Sequence, residues 1–312
     1  MKKIVVFGGS GFIGKNLINY FSKRGFRILA TYANAKPKIN FKNTKWIKLN
    51  LIKKQNLKSI CQNASYAFVC SAITSGAKNI VSRPEIFVSD NAIINSNIIS
   101  EIYKYKIKQI FFFSCSVMYP HSNKPKKEHE FNLEKCYPKY YGGAAMKIFT
   151  ENLCKFYSSI STSKFTVLRH TNTYGPFDKF NKKEGHFFCS TISKVLKAKE
   201  KIVMWGSGKE KRNFIHIDDV INAINILIKK QKKNFEIVNV GVNKSESINH
   251  IVNKIIKISK RKLKVEKDLK APNLNIDIHV NSSKLKSYGW SPKISIDQGI
   301  KKTIDWYKKN YY

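Results

Sequence analysis

The chain has 312 residues, 42% hydrophobic and 12% aromatic, enough to bury the core of one large domain or two modest ones. It contains no run of 18 apolar residues, which excludes a membrane-spanning helix, and no membrane partner is expected. The formal net charge is +38, yet of the 58 basic residues only six are arginine, and the lysines are spread along the whole chain beside abundant Asn and Ile. That is the bias of an AT-rich genome rather than the clustered arginine of a nucleic-acid reader, so no nucleic-acid partner is expected, although the charge favours anionic small ligands. Six cysteines (61, 70, 115, 136, 154 and 189) form no C-x-x-C pair and no metal spacing. They predict a reducing cytoplasm and no metal. The N-terminal Met-Lys-Lys and its short apolar run look superficially like a secretion signal, but glycines interrupt the run and no small-residue cleavage site follows.

The first predicted element is Ile4–Phe7, four apolar residues that read as a buried parallel strand. Gly8, Gly11 and Gly14 follow, and an apolar-periodic run of Ile13, Leu17, Ile18 and Phe21 then reads as a helix. Strand, glycine turn and helix in this order make a dinucleotide cradle. Gly8 permits the turn, Gly11 lets the backbone approach a pyrophosphate, and Gly14 lets the helix pack against the strand. The helix N-terminus offers free N–H groups and a partial positive charge to the anion.

Further strands are predicted at Arg27–Thr31, Trp46–Leu49, Tyr66–Cys70, Ile110–Ser114, Val167–Arg169 and Ile237–Val240, with helices notably at Phe87–Tyr103 and Lys147–Tyr157. This β-α-β alternation predicts an α/β fold, a doubly wound parallel (Rossmann) sheet. The second half is less regular. Loops at 175–186, 205–213 and 271–293 alternate with short helices, which predicts a smaller C-terminal substrate-binding lobe. The expected division is residues 1–170 with 214–242 for the dinucleotide-binding domain and 171–213 with 243–312 for the lobe. The second strand ends Leu29-Ala30-Thr31-Tyr32 with no acidic residue, and Lys36 and Lys38 stand nearby. An acid there would hold the 2′-hydroxyl of NAD, so its absence favours the 2′-phosphate of NADP, with NAD as the alternative.

Several motifs carry a family resemblance. They are Pro84-Glu85-Ile86-Phe87 with Asn91 and Asn95-Ser96-Asn97-Ile98-Ile99, then Thr171-Asn172-Thr173-Tyr174-Gly175-Pro176, His186, and Trp205-Gly206-Ser207-Gly208 with Arg212 and His216-Ile217-Asp218-Asp219. From residue 4 to about 220 the chain resembles the extended short-chain dehydrogenases, and among them the GDP-fucose synthases. The resemblance implies hydride transfer at a sugar carbon. A tyrosine hydroxyl exchanges the proton, a lysine four residues later lowers the tyrosine pKa and holds the nicotinamide ribose, and a serine or threonine completes the hydrogen bonding.

The chain departs from that pattern. Lys147 fits the lysine slot, but the tyrosine slot holds Gly143 and the serine slot holds Cys115, flanked by Ser114 and Ser116. Three readings stay open: Tyr141 takes the tyrosine's role through a shift of the glycine-containing loop, Cys115 or His186 handles the proton, or catalysis is altered in a nucleotide-sugar-binding relative. The resemblance also implies an epimerase couple of a cysteine and a histidine. His186 is present, but Val117 occupies the cysteine slot, which puts 3,5-epimerisation in doubt.

The cofactor set implied is Gly8, Ser10, Gly11, Phe12, Ile13, Gly14, Asn50, Leu51, Ser71 and Lys147. The substrate set is Ser116, Asn172, His186, Trp205 and Arg212, with Arg212 on the nucleotide diphosphate. The expected activity is NADP-dependent reduction of a GDP-4-keto-6-deoxy sugar by a cytoplasmic enzyme supplying polysaccharide building blocks. An NAD-retaining 4-epimerase or dehydratase of nucleotide sugars is the alternative. A homodimer is implied through the helices near 90–105 and 147–157.

Overall fold

A computed structural model describes residues 1–74, 77–181, 185–271 and 276–312. Seven parallel strands make the central sheet: β1 (Lys3–Phe7), β2 (Arg27–Tyr32), β3 (Thr44–Lys48), β4 (Ala64–Val69), β5 (Gln109–Cys115), β6 (Lys164–His170) and β7 (Phe235–Val240). Their order is β7-β6-β5-β4-β1-β2-β3. All seven strands read from the sequence are present, with ends moved by one to three residues. They read as near-continuous apolar runs because helices cover both faces. In β1, Ile4 and Val6 join one core with Leu17, Ile18 and Phe21 of α1 (Phe12–Ser22), while Val5 and Phe7 join the other with Ile94, Ile98 and Ile99 of α2 (Ser89–Ile102).

The strand order reverses at β1, which pairs with β2 on one side and β4 on the other. A doubly wound sheet opens a crevice outside the carboxyl ends of its strands at such a switch point. Residues 8–14 after β1, residues 70–71 after β4 and residues 115–116 around the end of β5 therefore meet at one rim.

A third cluster, separate from the sheet, is built from residues 174–214 and 248–307, including Phe188, Ile192, Ile251, Ile304 and Tyr307. Leu285 and Trp290, from the predicted lobe, instead join the sheet's core, and Trp290 Nε1 donates to the Asp219 carbonyl at 3.0 Å. Among the described residues no helix is long and apolar enough to cross a membrane.

One expected helix changes in a way that matters. The segment predicted as Lys147–Tyr157 is α3 (Tyr141–Ser159), preceded by a 3-10 turn at Pro138–Tyr140. It starts six residues early because the Tyr140 N–H donates to the Tyr137 carbonyl at 2.7 Å and Pro138 opens the turn, which feeds directly into the helix across Gly142-Gly143. Within the expected loops, Lys211–Arg212 and Ser283–Ser287 are regular elements, and residues 182–184 and 272–275 lie outside the described set.

Candidate active site

Gly8 sits at φ +77°, and a Cβ there would come within 2.7 Å of the Ser71 backbone. A Cβ on Gly14 would stand 2.4 Å from the Gly8 carbonyl oxygen. These two glycines are required by the protein itself. Gly11 is different: its φ is −77°, a Cβ would meet only Gly8 O at 3.3 Å, and it caps α1 with no side-chain hydrogen bond. The N-terminus of α1 is thus left for an external acceptor. Ser71 Oγ is buried beside this loop with no hydrogen-bond partner, a second group the fold leaves unsatisfied. Ser10, Phe12 and Ile13 are half-buried along the same loop.

These residues fit a dinucleotide, which would lie on the loop from Gly8 to Gly14 and reach Ser71. Gly11→Ala should leave folding intact and weaken NADPH binding about tenfold or more in a calorimetric titration. Unchanged affinity would remove the ligand from this loop.

At the carboxyl end of β5, Lys147 Nζ donates to the Phe113 carbonyl at 2.8 Å and lies 4.7 Å from the centre of the Phe112 ring. Burial of its ammonium lowers the Lys147 pKa, with Cys115 and Glu151 opposing. Burial raises the Cys115 thiol, and the Lys147 charge only partly offsets that. This thiol is therefore a neutral group beside the lysine, not a thiolate.

Tyr140, not among the site residues read from the sequence, stands in a cleft with Arg212. Burial raises its pKa, and the opposing influences are the charge and a hydrogen bond of Arg212. A guanidinium only donates, so the Tyr140 oxygen accepts from Arg212 and its own proton stays available. Tyr140 and Arg212 line one small cleft with Ser116, Val117, Asn172, Asn213, Ile276 and Ile278. Asn172 is fixed there by two bonds to the Asn213 carbonyl, from its backbone N–H and its Nδ2, both 3.0 Å.

Tyr141, one of the open readings for the proton carrier, is 54% exposed on the first turn of α3. The 3-10 turn sends consecutive tyrosines in different directions, and Tyr140 is the one in the cleft. Arg212, expected on a diphosphate, is engaged with Tyr140. His186 is exposed at the N-cap of α4 (Phe187–Lys197) and does not line the cleft. Trp205 is 41% exposed beneath Lys194, 5.4 Å from its ring centre, and is not among the residues lining the cleft. Asn50 accepts from the Ile52 N–H at 3.1 Å, and the Leu51 carbonyl accepts from Asn97 at 3.1 Å, which shapes the loop after β3.

Sequence reading missed His170, the last residue of β6. Burial lowers its pKa to about 4, with Lys147 and His186 adding to the effect. Its Nδ1 is 3.0 Å from the Thr171 carbonyl and 2.9 Å from Thr173 Oγ1. The missed signal was the length of β6, which runs one residue beyond the predicted end.

Behind the cleft lies a buried ionic network. Arg169 and Glu151 pair through three bonds of 2.6 to 3.2 Å, with side chains only 2% and 3% exposed. Ser114 Oγ donates to Glu151 at 2.6 Å, and Arg169 also donates to Tyr119 Oη at 2.9 Å and the Glu128 carbonyl at 2.7 Å. Three of its members stand next to residues at the carboxyl ends of β5 and β6 or one turn along α3. Ser114 precedes Cys115, Arg169 precedes His170, and Glu151 lies one turn beyond Lys147. The network locks β5, β6 and α3 together at their functional ends.

The chain and its fold have relatives among known proteins. Residues 4–241 match the model of the NAD dependent epimerase/dehydratase family. The chain is 26% identical to GDP-L-fucose synthase 1 of Arabidopsis thaliana, over 99% of this chain and 94% of that protein. Its fold is similar to a UDP-glucose 4-epimerase from Thermotoga maritima (TM-score 0.85, 22% identity, 99% of this chain and 100% of that one). It is also similar to a GDP-6-OMe-4-keto-L-xylo-heptose reductase from C. jejuni (TM-score 0.83, 22% identity, 99% and 98%). The matched residues run from the glycine loop through Tyr140, Lys147, Asn172 and Arg212 to the end of β7, and the chain belongs to the NAD-dependent epimerase/dehydratase family.

Proposed function

We propose that the protein is a cytoplasmic, NADP-dependent reductase of a GDP-linked 4-keto-6-deoxy sugar, with Tyr140 as proton donor. The observation that carries this reading is the Arg212 hydrogen bond to Tyr140 in a cleft shared with Ser116 and Asn172. A reduced nicotinamide, when bound, supplies a hydride to the carbonyl carbon. Tyr140 passes its proton to the carbonyl oxygen, so the C=O bond becomes C–O–H. Arg212 stabilises the phenolate left behind, which takes a proton back from water. Lys147, with its ammonium held by the Phe113 carbonyl, takes the role of holding the cofactor's ribose in this reading, supported by its match to the family's lysine slot.

Exposed Lys36 and Lys38 follow β2, with no acid between Arg27 and Asn43, which supports the 2′-phosphate of NADP. The similarity to GDP-L-fucose synthase 1 supports a GDP-sugar. Val117, in the cleft, carries no transferable proton, so the reading is reduction without 3,5-epimerisation. The division into a dinucleotide-binding unit and a substrate lobe belongs to the same proposal and is supported by the separate core of residues 174–214 and 248–307. So does a homodimer, supported by exposed Ile93, Phe149, Phe156 and Ile160 on and beside α2 and α3.

The test is NADPH consumption with GDP-4-keto-6-deoxymannose. Consumption with NADPH preferred over NADH is the expected result. Tightly bound NAD released on denaturation, together with interconversion of UDP-glucose and UDP-galactose, would replace the reductase by a 4-epimerase.

A further inference from the structure

We propose that Val117, Ile276 and Ile278 form the wall that selects a methyl over a hydroxymethyl group at C6 of the substrate sugar. The inference rests on the nucleotide-sugar reading above. The cleft that holds Tyr140 and Arg212 has walls of two kinds, polar side chains and the aliphatic side chains of Val117, Ile276 and Ile278. Part of the polar side is already spent within the protein. Asn213 donates from Nδ2 to the Val242 carbonyl and accepts at Oδ1 from the Val242 N–H. Asn172 Nδ2 is bound to the Asn213 carbonyl at 3.0 Å.

The aliphatic side is held in place. Residues 276–281 run alongside 122–126, with the Ser122 N–H on the Asp277 carbonyl at 3.1 Å, the Lys126 N–H on the His279 carbonyl at 2.9 Å and the Asn281 N–H on the Lys126 carbonyl at 2.8 Å. His121 Nδ1 accepts from the Asp277 N–H at 2.9 Å. Side chains alternate here as they do along a strand. Ile276 and Ile278 line the cleft, while Asp277 Oδ1 and His279 Nε2 turn to each other, 2.9 Å apart. Val117 and Ile278 are only half-buried, packed against an apolar cluster that includes Met118 and Val280. In the proposed reaction the C4 oxygen of the sugar meets the Tyr140 hydroxyl. C6 is attached to C5, the ring carbon next to C4, so its substituent enters the same small cleft. A methyl group there gains contact with the aliphatic wall. A hydroxyl pressed against that wall loses its water without gaining a partner.

GDP-mannose and GDP-rhamnose, its 6-deoxy counterpart, differ only at C6 and are the probes. Titration calorimetry would compare both with GDP and NADPH on wild type, Val117→Thr and Ile278→Thr. Each substitution puts a hydroxyl into the wall at a half-buried position, and thermal melting identifies the variants that keep the fold, so either one can carry the test. Wild type should bind GDP-rhamnose about tenfold more tightly than GDP-mannose, within what an apolar pocket achieves against an added hydroxyl. A folded variant should narrow that ratio to about threefold or less while its affinity for GDP and NADPH stays unchanged. Equal affinity of wild type for the two sugars overturns the inference alone, and so does a ratio that survives in the folded variants or a loss that falls equally on GDP. If wild type binds neither GDP nor either GDP sugar, the functional reading falls and takes this inference with it.

Discussion

Tyr140→Phe should reduce reductase turnover by about a hundredfold or more, the usual contribution of a positioned general acid. NADPH affinity should stay near wild type, because Tyr140 stands in the substrate cleft and not on the glycine loop. Tyr141→Phe is the control, and its exposed ring should leave turnover unchanged. The pH profile adds a sign. Burial raises the Tyr140 pKa, with Arg212 opposing, so the donor stays protonated through neutral pH. Burial lowers the Lys147 pKa, so the lysine loses its charge earlier than a free lysine would. Turnover should therefore be level near neutrality and fall on the alkaline side, where donor proton and lysine charge are both lost. Arg212→Met should shift the alkaline fall and lower kcat, because the cation acting on Tyr140 is Arg212. A Tyr140→Phe enzyme with wild-type kcat, or a Tyr141→Phe enzyme without activity, overturns this assignment.

The fold was legible because its signals are local. Four apolar residues before Gly8 and an apolar period after Gly14 need no long-range information, and each of the seven strands carries its own β-branched or aromatic run. Lys147 was legible too, since its spacing to later motifs is unbroken. Tyr140 was not, because low helix propensity at Gly142 and Gly143 argued for a helix starting after them. The 3-10 turn at Pro138 overrides that propensity by delivering the chain already wound. A count of seven residues, two helical turns, back from Lys147 reaches Tyr140 and would have found the shared face. Arg212 illustrates a different limit. Its chemistry suits a phosphate or a phenol equally, and only the pairing of Glu246 opposite Arg212 in a short antiparallel ladder fixes its position beside Tyr140. His170 depended on where a strand ends, the least legible property of any element.

Removing Arg169 should be the most damaging single change to stability. Arg169→Met strands the Glu151 carboxylate at 3% exposure with Ser114 Oγ as its remaining side-chain donor, and breaking such a pair typically costs about 3–5 kcal/mol. It also removes the donor to Tyr119 Oη and the Glu128 carbonyl. The pH dependence follows from the stranded charge. An acid that is harder to ionise in the folded state than in the unfolded one gains stability as pH falls, so the deficit against wild type should be larger at pH 8 than at pH 5. Adding Glu151→Leu removes the charge and should recover part of the loss, since an apolar pair of similar volume is often tolerated where a broken ion pair is not. Denaturant unfolding of the two single variants and the double variant measures all of this. A loss below about 1 kcal/mol in Arg169→Met, or a double variant no better than the worse single, would show that the pair is not the anchor. The double variant also separates stability from function. It recovers part of the stability without the Ser114–Glu151 and Arg169–Glu151 bonds that fix the ends of β5 and β6 against α3, so its kcat should stay below wild type at a temperature where both are fully folded.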